Sequence, residues 1–127
     1  MVRPAAKELT QRELEVMHVC WTAGQSTVAE IRDQLTAAGR ELAYTTVATL
    51  IRILTEKGFL EQTNTERPFL YRPARSFEEV SRSILGDMVE RVFLGSREQL
   101  LVRLLAERRL SAKERSVLEA ILREKKP

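Results

Sequence analysis

The sequence predicts a mainly α-helical protein with a small β-hairpin, which separates three N-terminal helices from a C-terminal helical segment. Apolar residues recur at the spacing of an amphipathic helix through positions 10–57, and again from position 76 onward. Between these stretches, from Phe59 to Arg72, the pattern changes to short extended runs joined by turn residues. A chain of 127 residues has room for a small domain and a helical appendage, so we assign residues 1–75 and 76–127 to two domains.

Local signals mark the boundaries of the first helices. The first two begin with capping boxes, in which Thr10 precedes Glu13 and Thr27 precedes Glu30 by three residues. Each of the first three segments runs up to a glycine, the residue favoured just past a helix end because it tolerates a positive φ. The side chains expected to face the core are Leu14, Met17 and Trp21 of the first helix and Val28, Ile31 and Leu35 of the second.

The third helix, predicted for residues 44–57, has two contrasting faces. An apolar stripe that must pack inward is formed by Val47, Leu50, Ile51 and Leu54. The opposite face presents Thr45, Thr49, Arg52 and Glu56, flanked by Thr46 and Ile53. No acidic residue occurs between Tyr44 and Thr55, and Arg52 is the only cation on this face.

The hairpin is predicted from two extended runs, residues 59–63 and 68–72. Asn64 and Thr65 supply turn chemistry between them, Pro68 is placed at the first position of the second strand, and Pro73 ends it.

Three helices followed by a hairpin within about 65 residues are the winged form of the helix-turn-helix, whose last helix enters the major groove of DNA. Residues at the N-terminal end of that helix reach base edges first, here Tyr44, Thr45 and Thr46. Threonine hydroxyls, with the methyl groups of Ala48 and Thr49, suit base reading, and Arg52 suits a guanine or a phosphate. The alternative is an ordinary exposed face that is rich in threonine.

Two arginines of the hairpin are placed to contact the DNA backbone, which positions a protein without reading sequence. They are Arg67, near the tip, and Arg72, at the end of the second strand. The alternative is that the hairpin only closes a small sheet.

The C-terminal segment carries apolar stripes on three short helices, with Gly95-Ser96 between the first two and a capping box from Ser111 to Glu114 before the third. These stripes present more apolar surface than one copy of the chain can bury, so we expect the segment to pair two copies. The alternative is a monomer whose C-terminal helices fold back on the first half. The residues assigned to pairing are Phe77, Val80, Ile84, Met88, Val92, Leu100, Leu101, Leu104, Leu105, Leu118, Ile121 and Leu122.

Composition excludes several classes of protein. With 43% hydrophobic and 31% charged residues and no apolar run longer than three, we expect a cytoplasmic protein without stable membrane association. One histidine, His18, and one cysteine, Cys20, are too few for a metal site, and we expect both to be packed in the first helix. We expect no cofactor and no catalytic residue, because the chain also lacks a phosphate-cradling loop.

A net charge of +3 is too small to indicate a nucleic-acid-binding protein by itself. The positions of the charged residues must therefore distinguish between two binding functions. The acid-free face from Tyr44 to Thr55 favours DNA over the alternative function, a winged-helix adaptor that binds proteins without sequence-specific DNA binding.

Several segments resemble the penicillinase-repressor family, of the BlaI and MecI type. They are residues 9–17 with Trp21, residues 42–50 with their Thr-Val-x-Thr-Leu core, Glu56-Lys57-Gly58, Tyr71-Arg72-Pro73, and Leu110-Ser111 with Glu114. The resemblance covers nearly the whole chain. Where better-known members place Ser-Pro ahead of the third helix, this sequence has Ala43-Tyr44, which removes an N-cap. Copper-responsive relatives carry paired cysteines near the C-terminus, and none follows Cys20 here.

The resemblance implies a homodimer that binds palindromic operator DNA and represses genes, often for β-lactam resistance, until a membrane-embedded sensor protease cleaves it. The bond that matches the cleavage position of relatives is Arg103-Leu104, although those relatives carry Asn-Phe there. The alternative is that residues 100–105 are only a leucine-rich packing helix.

Overall fold

The computed structural model describes residues 9–106 and 108–124, which form six α-helices and three short β-strands in these ranges. In chain order the elements are α1 (Gln11–Ala23), β1 (Ser26–Thr27), α2 (Val28–Ala37), α3 (Tyr44–Glu56), β2 (Leu60–Gln62), β3 (Leu70–Pro73), α4 (Phe77–Val92), α5 (Arg97–Ala106) and α6 (Ala112–Glu124). The predicted fold class, a mainly helical chain with a small wing, is confirmed.

The described chain divides into two compact units within α4, between Leu85 and Gly86. We call residues 9–85 the first unit and residues 86–106 with 108–124 the second unit. The division falls ten residues beyond the domain boundary predicted after Arg75, because the start of α4 packs on the core of the first unit.

All three predicted capping boxes form. The Thr10 hydroxyl accepts the Glu13 N–H at 3.1 Å while Glu13 Oε1 accepts the Thr10 N–H at 2.8 Å, and Thr27 and Glu30 repeat this geometry. Before α6, Ser111 and Glu114 do the same at 3.0 and 2.8 Å. Each box satisfies two backbone N–H groups that a helix start otherwise leaves without partners.

All three predicted glycines adopt a positive φ at their helix ends, and two of them do so in the same hydrogen-bonding pattern. At Gly58, φ is 85°, the Gly58 N–H reaches the Thr55 carbonyl at 3.1 Å, and the Phe59 N–H reaches the Leu54 carbonyl at 2.9 Å. Gly39 ends α2 by the same two-bond pattern with φ 89°. This is the Schellman motif, in which a residue with a Cβ would be strained.

The three strands form one antiparallel sheet in the order β1-β3-β2, with Glu61 opposite Arg72 and Thr27 opposite Leu70. The strand β1 was not predicted, because two residues are too few to show a period. The two hairpin strands are shorter than predicted, and Pro68 lies in the turn rather than at a strand start.

In that turn, hydrogen bonds from the Asn64 side chain to the backbone take the place of strand-to-strand hydrogen bonds. Its Oδ1 accepts the Leu70 N–H at 2.8 Å, and its Nδ2 donates to the carbonyl oxygens of Glu66 and Pro68. The predicted turn role of Asn64 is therefore confirmed, over a longer turn.

The core of the first unit is formed by the predicted stripes of α1, α2 and α3, closed on one side by the strands and on another by α4. Its fully buried side chains are Val16, Met17, Cys20, Ile31, Leu35, Val47, Ile51, Leu54, Phe59, Leu60 and Val80. Val80 was assigned to pairing from its stripe, but its side chain is 1% exposed within the first unit, so no surface of it remains for a second copy. Ile84 is also partly buried against this core.

Two polar contacts in the first unit join residues that are far apart in the sequence. Lys57 Nζ lies 3.0 and 3.1 Å from the carboxylate oxygens of Glu13, which is 3% exposed. Trp21 Nε1 donates to the Arg75 carbonyl at 2.9 Å, which ties α1 to the residues before α4. Burial acts to raise the pKa of Glu13, but hydrogen bonds from the Thr10 backbone and from Lys57 outweigh it and hold that pKa below its usual value.

The second unit is built differently. Neither α5 nor α6 buries a side chain, and among the described residues of this unit only Val89, at 9% exposed, is buried.

Candidate nucleic-acid interface

The exposed face of α3 is the one predicted from the sequence. Thr45, Thr46, Thr49 and Arg52 are exposed, Tyr44 is half-exposed and Ala48 is partly covered, while Val47, Ile51 and Leu54 are buried on the opposite side. Packing of that apolar stripe thus fixes which side chains of α3 point outward.

The N-terminus of α3 has no side-chain cap. Ala43 occupies the N-cap position and makes no side-chain hydrogen bond, in contrast to Thr10 and Thr27 at the starts of α1 and α2. Backbone N–H groups of the first turn, at Tyr44, Thr45 and Thr46, therefore point outward with the positive end of the helix dipole. A phosphate oxygen can accept from such a terminus.

The threonine side chains of α3 differ in how they are held. The Thr49 hydroxyl donates to the Thr45 carbonyl at 2.9 Å, which fixes its rotamer and leaves its oxygen as an acceptor. The described residues offer no side-chain partner to the hydroxyls of Thr45 and Thr46, which remain free to donate or accept.

Arg52 forms an ion pair on this face, a contact that the sequence analysis did not include. Its Nη1 lies 2.6 Å from Glu56 Oε1, one helical turn further along α3. The two side chains are 63% and 58% exposed, and such surface pairs are worth about 0–1 kcal/mol, so DNA can displace Glu56 at low cost.

The two wing arginines have different surroundings. Arg72 pairs across the sheet with Glu61 at 2.6 Å, as their opposed positions in the register allow. The Arg67 guanidinium lies 5.1 Å from the Phe69 ring, and it has no ion-pair partner among residues 9–106 and 108–124. Arg67 is thus the less neutralised of the two.

The sequence did not predict that α2 and the wing turn meet beside the start of α3. A surface cavity there is lined by Thr27, Val28, Ala29, Tyr44, Arg67, Pro68 and Phe69. Arg32 of α2 lies 6.0 Å from the Tyr44 ring and pairs with its neighbour Asp33. Only the fold brings these elements together, so no local sequence signal identified Arg32.

Features of other functional classes are absent from the part of the chain that the structure describes. It holds no cluster of three or more metal-ligating side chains, and no helix long and apolar enough to span a membrane. Cys20 is buried, as predicted, and burial raises the pKa of its thiol to about 12, so it is an unreactive core residue. His18, in contrast, is exposed and lies 5.2 Å from the Trp21 ring.

A three-helix unit with an exposed threonine face and a small wing defines a DNA-binding protein of the winged helix-turn-helix class. Comparisons with known proteins give the family. The penicillinase repressor family matches residues 9–124, and the chain belongs to that family. The transcriptional regulator BlaI of Mycobacterium tuberculosis is 31% identical over 114 residues, which are 88% of this chain and 80% of that protein.

Two solved structures show the same fold. The solution structure of the DNA-binding domain of the repressor BlaI matches with a TM-score of 0.53 and 24% identity, over 61% of this chain and 93% of that one. The complex structure of hsRosR-SG matches with a TM-score of 0.55 and 17% identity over 95% of both chains.

These relatives confirm two predictions. The chain is a transcriptional regulator of the BlaI family with a DNA-binding winged helix, and it is not an enzyme.

Proposed function

We propose that this protein represses transcription as a homodimer on a palindromic operator, with α3 reading bases in the major groove. The observation that carries the proposal is the exposed face of α3, on which three threonines and one arginine stand opposite the buried stripe. Thr45 and Thr46 reach base edges from the first turn, together with Tyr44. The methyl groups of Ala48 and Thr49 suit thymine.

Arg52 gives the proposed reading helix its strongest polar contact. A guanidinium can bond to both acceptors of guanine, and releasing Glu56 costs little. The wing adds contacts to the backbone, from Arg67 first and from Arg72 once its pair with Glu61 opens.

The second unit supports pairing. Its exposed apolar side chains include Met88, Val92, Leu101, Leu104, Leu105, Leu118, Ile121 and Leu122. Exposed apolar surface of this extent marks an interaction site, and a second copy of the chain is the occupant we propose. Leu100 of the second unit, and Phe77 and Ile84 of the first, are also proposed for pairing, although Phe77 contacts the Trp21 ring at 5.3 Å. Residues 1–75 would then form the reader and residues 76–127 the pairing segment.

We further propose that the regulated gene encodes a β-lactamase or another stress or resistance protein, and that a membrane-embedded sensor protease ends repression. The proposed cut, between Arg103 and Leu104, lies in α5, where both side chains are exposed. Cutting the pairing segment would make the two half-sites independent, and linked binding commonly gains a factor of about 10²–10⁴.

The test is protection of the DNA upstream of the protein's own gene, followed by binding to the protected sequence and to random duplex. Two protected half-sites spaced by about one helical turn, or a multiple of it, are expected. Arg52→Ala should cost about 1–3 kcal/mol on the operator if Arg52 holds a base, and should weaken all sequences alike if it holds phosphate.

A matched control is Arg12→Ala, which removes an exposed arginine that also pairs with a glutamate of its own helix, on α1. It should leave binding unchanged. Unchanged affinity for Arg52→Ala at moderate salt would remove α3 from the reading role.

A further inference from the structure

One buried charged side chain of the first unit has no part in the proposed DNA contacts. Arg75 lies between β3 and α4, its side chain is 8% exposed, and it is the only buried arginine among the residues that the structure describes. Burying a guanidinium is costly, and replacing a buried ion pair by apolar residues of similar volume is often neutral or stabilising. The stability of the core therefore does not by itself explain an arginine at this position.

The Arg75 side chain joins two elements of the first unit. Its guanidinium lies 4.7 Å from the centre of the Phe59 ring, and Phe59 is fully buried just after α3, where its N–H donates to the Leu54 carbonyl at 2.9 Å. Arg75 Nε donates to Glu79 Oε2 at 2.6 Å, in the first turn of α4. The guanidinium thus connects the end of α3 with the start of α4.

The backbone around Arg75 is also held in place. The Arg75 carbonyl accepts the Trp21 indole N–H at 2.9 Å, which adds a contact from α1. The Ser76 hydroxyl accepts the Glu79 N–H at 3.0 Å, as an N-cap does, and Val80 is buried in the same core. Contacts from α1, from the residue that follows α3 and from α4 itself therefore fix the chain where α4 begins.

We propose that Arg75 is a positioning residue, which fixes the direction of the first turns of α4 on the first unit so that two paired copies read half-sites at one spacing. The proposal rests on the proposed pairing through residues beyond Leu85, because α4 is one helix from Phe77 to Val92. The affinity gained by linking two binding sites depends on how stiffly they are joined. A hydrogen bond to Glu79 resists rotation of α4 better than apolar packing does, because it weakens steeply when its angle changes.

The test uses the full chain with the double change Arg75→Met, Glu79→Gln. Methionine can still pack on Phe59 but cannot donate the hydrogen bond, and replacing both partners leaves no buried charge without its counter-ion, so the variant should fold. Denaturant unfolding and sedimentation check that it is folded and paired. If it does not fold, Arg75→Lys takes its place with a smaller expected change, since lysine keeps the cation without the planar guanidinium.

Three DNA probes are compared by gel shift: the operator found by protection, a duplex with one half-site, and the operator with one base pair added at its centre. The added base pair turns one half-site by about 35° relative to the other. The unmodified chain should prefer the operator to the single half-site by about 10²–10⁴ and lose most of that preference on the longer operator.

The double variant should bind the single half-site like the unmodified chain, because Arg75 is buried and α3 is unchanged. It should bind the operator about tenfold more weakly, since less of the affinity from linked binding is retained. It should also lose less affinity than the unmodified chain when the base pair is added, because a less firmly held α4 adapts to the new spacing. A plain loss of stability would weaken binding to all three probes alike.

Two control variants separate positioning from other effects. Val16→Ala shortens a fully buried side chain of α1, so it should lower stability and leave the relative affinities for the three probes unchanged. Arg82→Gln removes a positive charge from an exposed position of α4 in the first unit, and it should behave like the unmodified chain.

The role of Arg75 and the proposed function fail in different ways. A folded, paired variant with the same preference for the operator and the same response to the added base pair would overturn the role of Arg75 alone. Weaker binding to the single half-site would also overturn it, because Arg75 would then support α3 itself, and so would loss of pairing. An unmodified chain that binds the operator no more tightly than the half-site would reject reading by a pair of copies, and this inference with it.

Discussion

The first and second units differ in where they keep their apolar side chains. Eleven side chains are fully buried in the described structure, and all lie in the first unit. Eleven large apolar side chains are exposed in the described part of the second unit, from Met88 to Leu122. Apolar residues recur at helical spacing in both units, so this spacing alone does not show whether the side chains are buried within one copy. The first unit closes its own core, whereas the second leaves apolar surface for another molecule.

The largest expected effect comes from the exposed face of the second unit. Ile121→Glu with Leu122→Glu should make the protein monomeric and lower operator affinity by about 10²–10⁴, the gain commonly lost when two linked sites separate. Sedimentation measures the assembly and gel shift measures the affinity. The control is Arg115→Glu, at an exposed polar position of the same helix, which should remain paired. A dimer that survives the double change would place pairing elsewhere in the chain.

The next effect compares single truncations in the two units. Ile51→Ala should cost about 2–5 kcal/mol of unfolding free energy, because Ile51 is 1% exposed and its loss leaves a cavity in the first unit. Leu104→Ala, at 62% exposed, should cost less than about 0.5 kcal/mol in a single copy. Denaturant unfolding should be followed by Trp21 fluorescence in the monomeric background of the preceding experiment. Similar costs for the two changes would show that the second unit has a core of its own.

Sequence reasoning succeeded where the signal is local. The three capping boxes, the glycine ends of α2 and α3 and the outward face of α3 depend on residues at most a few positions apart, and each was predicted. The pairs Glu13–Lys57 and Trp21–Arg75 join residues 44 and 54 positions apart, and no local pattern reveals them.

The misses also have physical causes. Val80 belongs to a stripe that continues into the second unit, and only the packing of α4 shows that its side chain is buried in the first. The pair between Arg52 and Glu56 was not predicted, although both residues were placed on the same face one turn apart, a spacing that favours an ion pair.

A smaller effect concerns the ion pair between Glu13 and Lys57 in the first unit, which the pH dependence of the unfolding free energy tests. The pKa of Glu13 is lowered in the folded protein, so its charged form contributes stability above the unfolded pKa, and this is lost as the pH falls through the lowered folded pKa. Glu13→Gln should cost about 1–3 kcal/mol at neutral pH and flatten the stability profile in acid, because Lys57 loses its charged partner.

Glu30→Gln is the matched control for that experiment. Glu30 caps α2 as Glu13 caps α1, with the same 2.8 Å bond to the N-cap N–H, but it is exposed and is not paired with a lysine in the described structure. Its removal should change stability less and leave the acid profile of the protein in place. Identical profiles for the two variants would assign the effect to capping alone.

The smallest effect concerns α3, which lacks the side-chain cap that α1 and α2 have in the same unit. Ala43→Ser should raise the unfolding free energy by about 1 kcal/mol, because its hydroxyl would accept a first-turn N–H of α3. If that N–H group holds a DNA phosphate, the same change should weaken binding to operator and random duplex alike. Ala43→Val, which adds bulk without an acceptor, should do neither. A more stable protein with unchanged DNA affinity would show that the open end of α3 is not a phosphate contact, and base reading would then rest on its side chains.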